Sequence, residues 1–228
     1  MLIMAKSSKG PRGGLTERVK TARGRKPSSA NWLKRQLNDP YVRQAKIDGY
    51  RSRAAYKLIE LNEKFHLLKP GETIVDLGAA PGGWLQVADQ ETKGQSTIIG
   101  LDILEMEPVA GATCLQADFT EQEAVDMLLA LVPENGVDVV LSDIAPNTTG
   151  HQSTDHIRIM MMCELAFDFA IQVLNPGGKF VAKVLQGGTE QQLLTQMKRH
   201  FQVVKHAKPN ASRKDSAETY VVATGFRE

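Results

Sequence analysis

Residues 76–84, Asp76-Leu77-Gly78-Ala79-Ala80-Pro81-Gly82-Gly83-Trp84, combine a carboxylate, a glycine-rich turn and the start of a helical pattern. Gly78, Gly82 and Gly83 would let the backbone approach a ligand closely, and a helix starting there aims N–H groups at it. The spacing is not GxGxxG, and Pro81 removes one donor and stiffens the turn, so a dinucleotide pyrophosphate is disfavoured. Three acids, Asp102, Asp118 and Asp143, stand at the ends of later apolar runs. Asp102 lies 26 residues beyond Asp76, the place for a carboxylate that grips a ribose diol, and Asp118 could accept from an exocyclic amine. Taken singly, each acid also suits a helix cap or a solvated loop; three at equivalent strand ends suit a nucleoside-like ligand better. Trp84 has two readings, helix core or pocket wall. Lys183 interrupts the apolar run FVAKVL, so its charge belongs to a buried ion pair or to chemistry.

These residues need a frame that brings strand ends together. Residues 53–66 repeat apolar positions with a helical period, and Leu67-Leu68-Lys69-Pro70-Gly71 ends that helix. Beyond Gly71, strand patterns fall at Thr73–Leu77, Ser96–Asp102, Thr113–Gln116, Val137–Asp143, Lys179–Val184, Phe201–His206 and Thr219–Thr224. Helical patterns lie between them at Trp84–Gln90, Glu121–Leu131, Asp155–Leu174 and Glu190–His200, with Pro176-Gly177-Gly178 breaking the long one. This alternation predicts an α/β fold, a mostly parallel seven-stranded sheet with helices on both faces. The last two strands are separated only by a loop, so an antiparallel pair is expected at one edge.

The 228 residues suit one domain plus an appendage, and 42% hydrophobic against 24% charged residues excludes a chain disordered throughout. No apolar stretch is long enough for a membrane span, and MLIMAKSSKG has no apolar core of a secretory signal. Cys114 and Cys163 lack metal-ligand spacing and read as buried thiols of a cytoplasmic protein. The net charge of +2 hides a division: residues 1–53 hold 14 Lys and Arg against 3 acids, and the remainder carries a net −9. Residues 1–30 read as a basic flexible tail and 31–228 as the folded domain. Such a charge concentration is the footprint of a polyanion partner, and an arm without an apolar face favours nucleic acid over membrane. Candidate phosphate contacts are Lys34, Arg35, Arg43, Lys46, Arg51 and Arg53.

DLGAAPGGW at 76–84 resembles the cofactor loop of S-adenosylmethionine-dependent methyltransferases of the FtsJ type, and SDIAPNTTG at 142–150 resembles that family's fourth motif. RSRAAYKL at 51–58, KVLQGG at 183–188 and SRKDSAETYVVATGF at 212–226 are similar to further family segments, so the likeness covers about residues 31–228. The resemblance implies a Rossmann-like class I methyltransferase fold with an antiparallel last strand. It implies S-adenosyl-L-methionine held by Gly78, Pro81, Gly82, Gly83, Trp84, Asp102, Asp118 and Asp143, with no metal. It also implies a Lys-Asp-Lys-Glu constellation, matched here by Lys57, Asp143, Lys183 and Glu218. The implied reaction methylates the 2′-hydroxyl of a uridine in 23S rRNA within the 50S particle, by a monomer. In that scheme Lys183 is the base, Lys57 depresses its proton affinity or positions the hydroxyl, and Asp143 and Glu218 orient the amines. A free lysine amine has a pKa of about 10.4, so a second amine and a dry pocket must favour its neutral form, while carboxylates act the other way. Other readings are methylation of tRNA, of a cap or of a base, and a non-catalytic RNA-binding assembly factor.

Overall fold

In the computed structural model, residues 33, 34, 36–185 and 191–227 are described. The expected tail, Arg35 and the glycines at 187–188 lie outside them.

Asp39 caps the helix α1 (Pro40–Asp48): its side chain accepts the Tyr41 N–H at 3.0 Å, and Pro40, without an N–H, fits the first turn. Gly49, at φ 81°, closes it. Helix α2 (Ala55–Phe65) buries Ala55, Leu58 and Leu61, together with Lys57 and Asn62, and ends at His66 in the left-handed region. Then follow β1 (Thr73–Leu77), α3 (Gly83–Glu91), β2 (Thr97–Asp102), β3 (Ala112–Gln116), α4 (Gln122–Leu131), β4 (Val137–Ser142), α5 (Gln152–Val173), β5 (Leu174–Leu185), α6 (Gln191–His200), β6 (Phe201–Ala207) and β7 (Glu218–Phe226).

The strand order is β3-β2-β1-β4-β5-β7-β6. The first five strands pair in parallel, and β7 runs antiparallel to both β5 and β6. The fold is therefore the expected α/β sheet with its antiparallel last strand. One apolar cluster holds Leu58 and Leu61 of α2 and Leu85 and Val87 of α3. The other holds Leu128, Phe167 and Met197 of α4, α5 and α6. β1 is buried throughout, as covering on both faces requires.

Most boundaries fall within two residues of the sequence expectation, and two element starts differ by more. Pro176-Gly177-Gly178 does not separate helix from strand; β5 begins at Leu174, which pairs with Val137. The register slips between Val137 and Val139, and Gly177, at φ 85°, turns within the irregularity. α5 starts at Gln152, ahead of the expected Asp155. Cys163 is buried, Cys114 half-buried, and neither forms a disulfide. Among the described residues no helix is long and apolar enough to cross a membrane.

Candidate active site

The strand order reverses at β1, with β2 on one side and β4 on the other, and such a switch point opens a crevice beyond the strand C-termini. A cavity of about 520 Å³ lies there, lined by Gly78, Asp102, Asp118 and Asp143 among others. Asp102 is oriented by two backbone donors: Ala80 N–H reaches Oδ2 at 2.9 Å and Leu104 N–H reaches Oδ1 at 2.8 Å. Asp118 Oδ1 accepts the Thr120 N–H at 2.9 Å and its hydroxyl at 2.7 Å, and these bonds hold its carboxyl below the ordinary range. Leu101, Ile103, Phe119, Ile144 and Met161 add apolar walls.

The glycine loop divides its work. Gly78, at φ 81°, lines the cavity, and a Cβ there would lie 2.8 Å from the Ile144 backbone nitrogen. Pro81, Gly82, Gly83 and Trp84 do not line it. A Cβ on Gly82 would lie 2.6 Å from Val109 Cγ2 and 3.2 Å from Arg51 Nη1, so that glycine makes room for protein. The Trp84 ring is core: it is 3% exposed, donates Nε1–H to the Ala54 carbonyl at 2.8 Å and lies 5.9 Å from the Tyr220 ring. The pocket-wall reading of the indole is thus corrected.

Asp76, at the C-terminal half of β1, is buried with neither carboxylate oxygen hydrogen-bonded. Burial first, then the charges of Asp143 and Asp102, push its carboxyl well above the ordinary 3.8. A carboxyl buried in this way without a partner suits a nearby cation better than an anion.

Lys57, Asp143, Lys183 and Glu218 converge from α2, the end of β4, the end of β5 and the start of β7. Lys183 Nζ lies 2.8 Å from both the carbonyl and Oδ1 of Asp143. Lys57 Nζ lies 2.9 Å from each oxygen of Glu218 and 3.6 Å from Asp143 Oδ2. Lys183 reaches Glu218 Oε2 at 3.9 Å. Lys57 is buried on α2 and Lys183 is buried and ion-paired with Asp143. Only Asp143 of the four lines the cavity, so the cluster adjoins it through that residue. Burial opposes charge on Asp143, but Lys183 and Lys57, with hydrogen bonds from Lys183 and Tyr220, hold its carboxyl below the ordinary range.

A family model of FtsJ-like methyltransferases matches residues 50–226. The chain belongs to that family. It is 59% identical over 226 residues to the Paramagnetospirillum magneticum protein named ribosomal RNA large subunit methyltransferase E, covering 96% of this chain and 92% of that one. The Maricaulis maris protein of the same name is 58% identical over 92% of this chain and 75% of its own. A crystal structure described as a ribosomal RNA methyltransferase of Plasmodium falciparum superposes with a TM-score of 0.71 at 34% identity, covering 78% of this chain and 98% of that one.

Two residues of this FtsJ-like site were not singled out from sequence. Tyr220 donates its hydroxyl to Asp143 Oδ1 at 2.6 Å and places its ring 5.6 Å from Lys57 Nζ. Its signal was the strand period, which puts Tyr220 on the same face as Glu218 and, by register, opposite Lys183. Arg158 of α5 lines the cavity and donates to the Asn147 carbonyl at 3.1 Å. The predicted phosphate contacts separate. Lys34 and Lys46 are exposed, while Arg43 Nη2 reaches the Leu37 carbonyl at 3.4 Å. Arg53 ties Asp39 at 2.9 Å and the Ala211 carbonyl. Arg51 binds the Pro81, Glu107 and Pro108 carbonyls. Both guanidinium groups brace the protein, which replaces the expectation that they meet phosphate.

Proposed function

We propose that this methyltransferase uses S-adenosyl-L-methionine to methylate the 2′-oxygen of a uridine in 23S rRNA of the large ribosomal subunit, with Lys183 as general base. The observation that carries this reading is the convergence of Lys57, Asp143, Lys183 and Glu218 beside an acidic, nucleoside-sized cavity. The relatives' names supply the ribosomal target. S-adenosyl-L-methionine, when bound, presents an electrophilic methyl group on a sulfonium.

Asp102 would hold the ribose diol, Asp118 an exocyclic amine, and the carboxylates of Asp76 and Asp143 suit the positive charges of such a molecule. Lys183 is held by Asp143 through two oxygens, so its amine has one direction left for a substrate hydroxyl. The sulfonium would supply the methyl group and leave as a neutral thioether, while Lys183 Nζ, reacting as the neutral amine with a free lone pair, would take the proton of the 2′-hydroxyl. Lys57, fixed by Glu218, places a second positive charge near that amine, and Ser212 Oγ steadies Glu218 Oε1 at 2.7 Å. Asp143 stays ionised and keeps both amines in register. The basic residues of segment 1–53 other than Arg51 and Arg53, Lys34 and Lys46 among them, would track phosphates of the ribosomal particle.

The test is transfer of labelled methyl from S-adenosyl-L-methionine to 50S particles, followed by nuclease mapping. A 2′-O-methyluridine in 23S rRNA is expected; label on a base, on tRNA or nowhere rejects the proposal. Binding to particles should weaken steeply with salt, and removing residues 1–30 should weaken it more than cofactor binding. A flat salt response would reject the phosphate-tracking role.

A further inference from the structure

Arg51 sits on the connection between α1 and α2, yet its hydrogen bonds go to two loops far from it in sequence. Nη1 donates to the Pro81 carbonyl at 3.2 Å and to the Glu107 carbonyl at 2.5 Å, and Nη2 donates to the Pro108 carbonyl at 2.6 Å. Pro81 belongs to the turn that follows Gly78 and Ala80, both cavity-lining. Glu107 and Pro108 belong to the segment that follows Asp102, Ile103 and Leu104, which line the same cavity from the other side. One planar guanidinium therefore holds the two loops at a fixed spacing, a task that needs its fork of donors and that a lysine, a single point charge, meets only in part.

The surroundings are shaped for this arginine. Gly82, at φ 101°, leaves open the space that a Cβ would occupy 3.2 Å from Arg51 Nη1. Gln86 of α3 fixes the same joint from below: its Oε1 accepts the Arg51 N–H at 2.8 Å, and its Nε2 donates to the Gly49 carbonyl at 3.0 Å. None of these groups reaches the lysine cluster.

We infer that Arg51 is a positioning residue for the cofactor cavity: it sets the separation of the 78–83 and 103–109 loops, and so governs cofactor affinity and not the transfer step. This rests on the cofactor assigned under Proposed function, so the experiment has one arm that needs no cofactor. In unliganded protein, Arg51→Gln should accelerate hydrogen exchange of amides in 103–109 by about tenfold or more, with β1 and β4 unchanged, as local opening without global unfolding requires. In the second arm, Arg51→Gln should raise the KM and Kd for S-adenosyl-L-methionine about tenfold, the loss expected for a charged donor taken from several acceptors. The turnover at saturating cofactor should stay within about twofold, and Arg51→Lys should fall between the variant and the parent.

Unchanged exchange in 103–109 overturns the brace. Faster exchange with unchanged cofactor affinity overturns the positioning role, as does a fall in kcat without a change in KM. If the parent itself fails to bind S-adenosyl-L-methionine, the cofactor assignment fails, while the exchange arm still decides whether Arg51 holds the loops. If Arg51→Gln does not fold, Arg51→Lys carries both arms.

Discussion

Lys57 and Lys183 balance Asp143 and Glu218, two charges against two, whereas the cavity beside them gathers Asp102, Asp118 and Asp143 around its lining with Arg158 as its one basic residue. The lysine cluster is finished before any ligand arrives: each amine has carboxylate partners within 4 Å, and Tyr220 and Ser212 complete the shell. The cavity is unfinished, and in β1, just before the cavity-lining Gly78, Asp76 holds a carboxyl with no hydrogen-bond partner. The difference separates two tasks. Groups that must move a proton need fixed geometry, since positioning accounts for much of the rate. Groups that must hold a cation need uncompensated negative charge, and they carry its desolvation until the ligand comes.

The strongest challenge to this division is Lys183→Ala. Loss of the base should lower transfer by about a thousandfold or more, at the upper end of general-base contributions, with cofactor affinity within about twofold of the parent. Single-turnover methyl transfer and calorimetric titration together check it; normal transfer would remove the base assignment, and lost cofactor binding would merge the two regions into one. The converse is Asp102→Asn, which keeps one acceptor oxygen for the backbone donors of Ala80 and Leu104. It should weaken cofactor binding by about 10- to 100-fold, the scale of a charge-assisted bond, and leave turnover at saturation nearly intact. A drop in turnover with unchanged Kd would show that Asp102 belongs to the chemistry.

Acid and base stability should divide the same way. Asp143 is held below the ordinary carboxylate range, against its own burial, by Lys183 and Lys57. Its contribution is therefore full above the unfolded-state value and is lost as pH falls through the folded one. Asp76 is raised by burial and by Asp143 and Asp102, so the sign reverses: its folded form favours the proton, and stability drains as pH climbs from the ordinary 3.8 toward its raised value. Asp76→Asn should remove that second slope in unliganded protein and stabilise it near neutrality, because an amide has no charge to bury. Cofactor binding should weaken at the same time. Calorimetric melting between acid and neutral pH gives the answer, and parallel profiles for parent and variant would show that Asp76 has a partner in solution.

The cavity was far more legible in the sequence than the cluster. Its residues follow consecutive strands, so a local rule, acid at a strand end, places Asp102, Asp118 and Asp143 without knowledge of the sheet. The cluster needs the strand order. β7 enters between β5 and β6, and only that insertion sets Tyr220 opposite Lys183 and Glu218 opposite Leu185. Patterning showed two strands near each other in the chain but held no information on which of them meets β5. The misread arginines have the same origin. Charge density assigns Arg51 and Arg53 to a polyanion, and nothing in composition reveals the carbonyls of Pro108 and Ala211, 57 and 158 residues away, that occupy them. Trp84 left two readings open for a shorter-range reason: its position in the loop suits a pocket wall as well as the core, and the direction of the ring, inward to Ala54, is not written in the spacing.

The smallest effect asks how complete the cluster's shell is. Tyr220 touches no carboxylate but Asp143 by hydrogen bond, and its own hydroxyl is raised well above 10.0 by burial and by Asp143 and Glu218, so it stays a donor through neutral pH. Tyr220→Phe keeps the ring against Trp84 and under Lys57 and removes one of the groups that hold Asp143 ionised. Asp143 should then take up a proton at a higher pH than in the parent. A single lost hydrogen bond to a charged group, about 1.5 kcal/mol, corresponds to roughly a tenfold change in the proton affinity of Asp143, which leaves transfer at neutral pH nearly unchanged. The acidic limb of the kcat profile should move upward in pH while the KM for cofactor holds. A variant whose limb stays in place would show that the two lysines alone keep Asp143 charged, and the cluster would then be complete with four residues, not five.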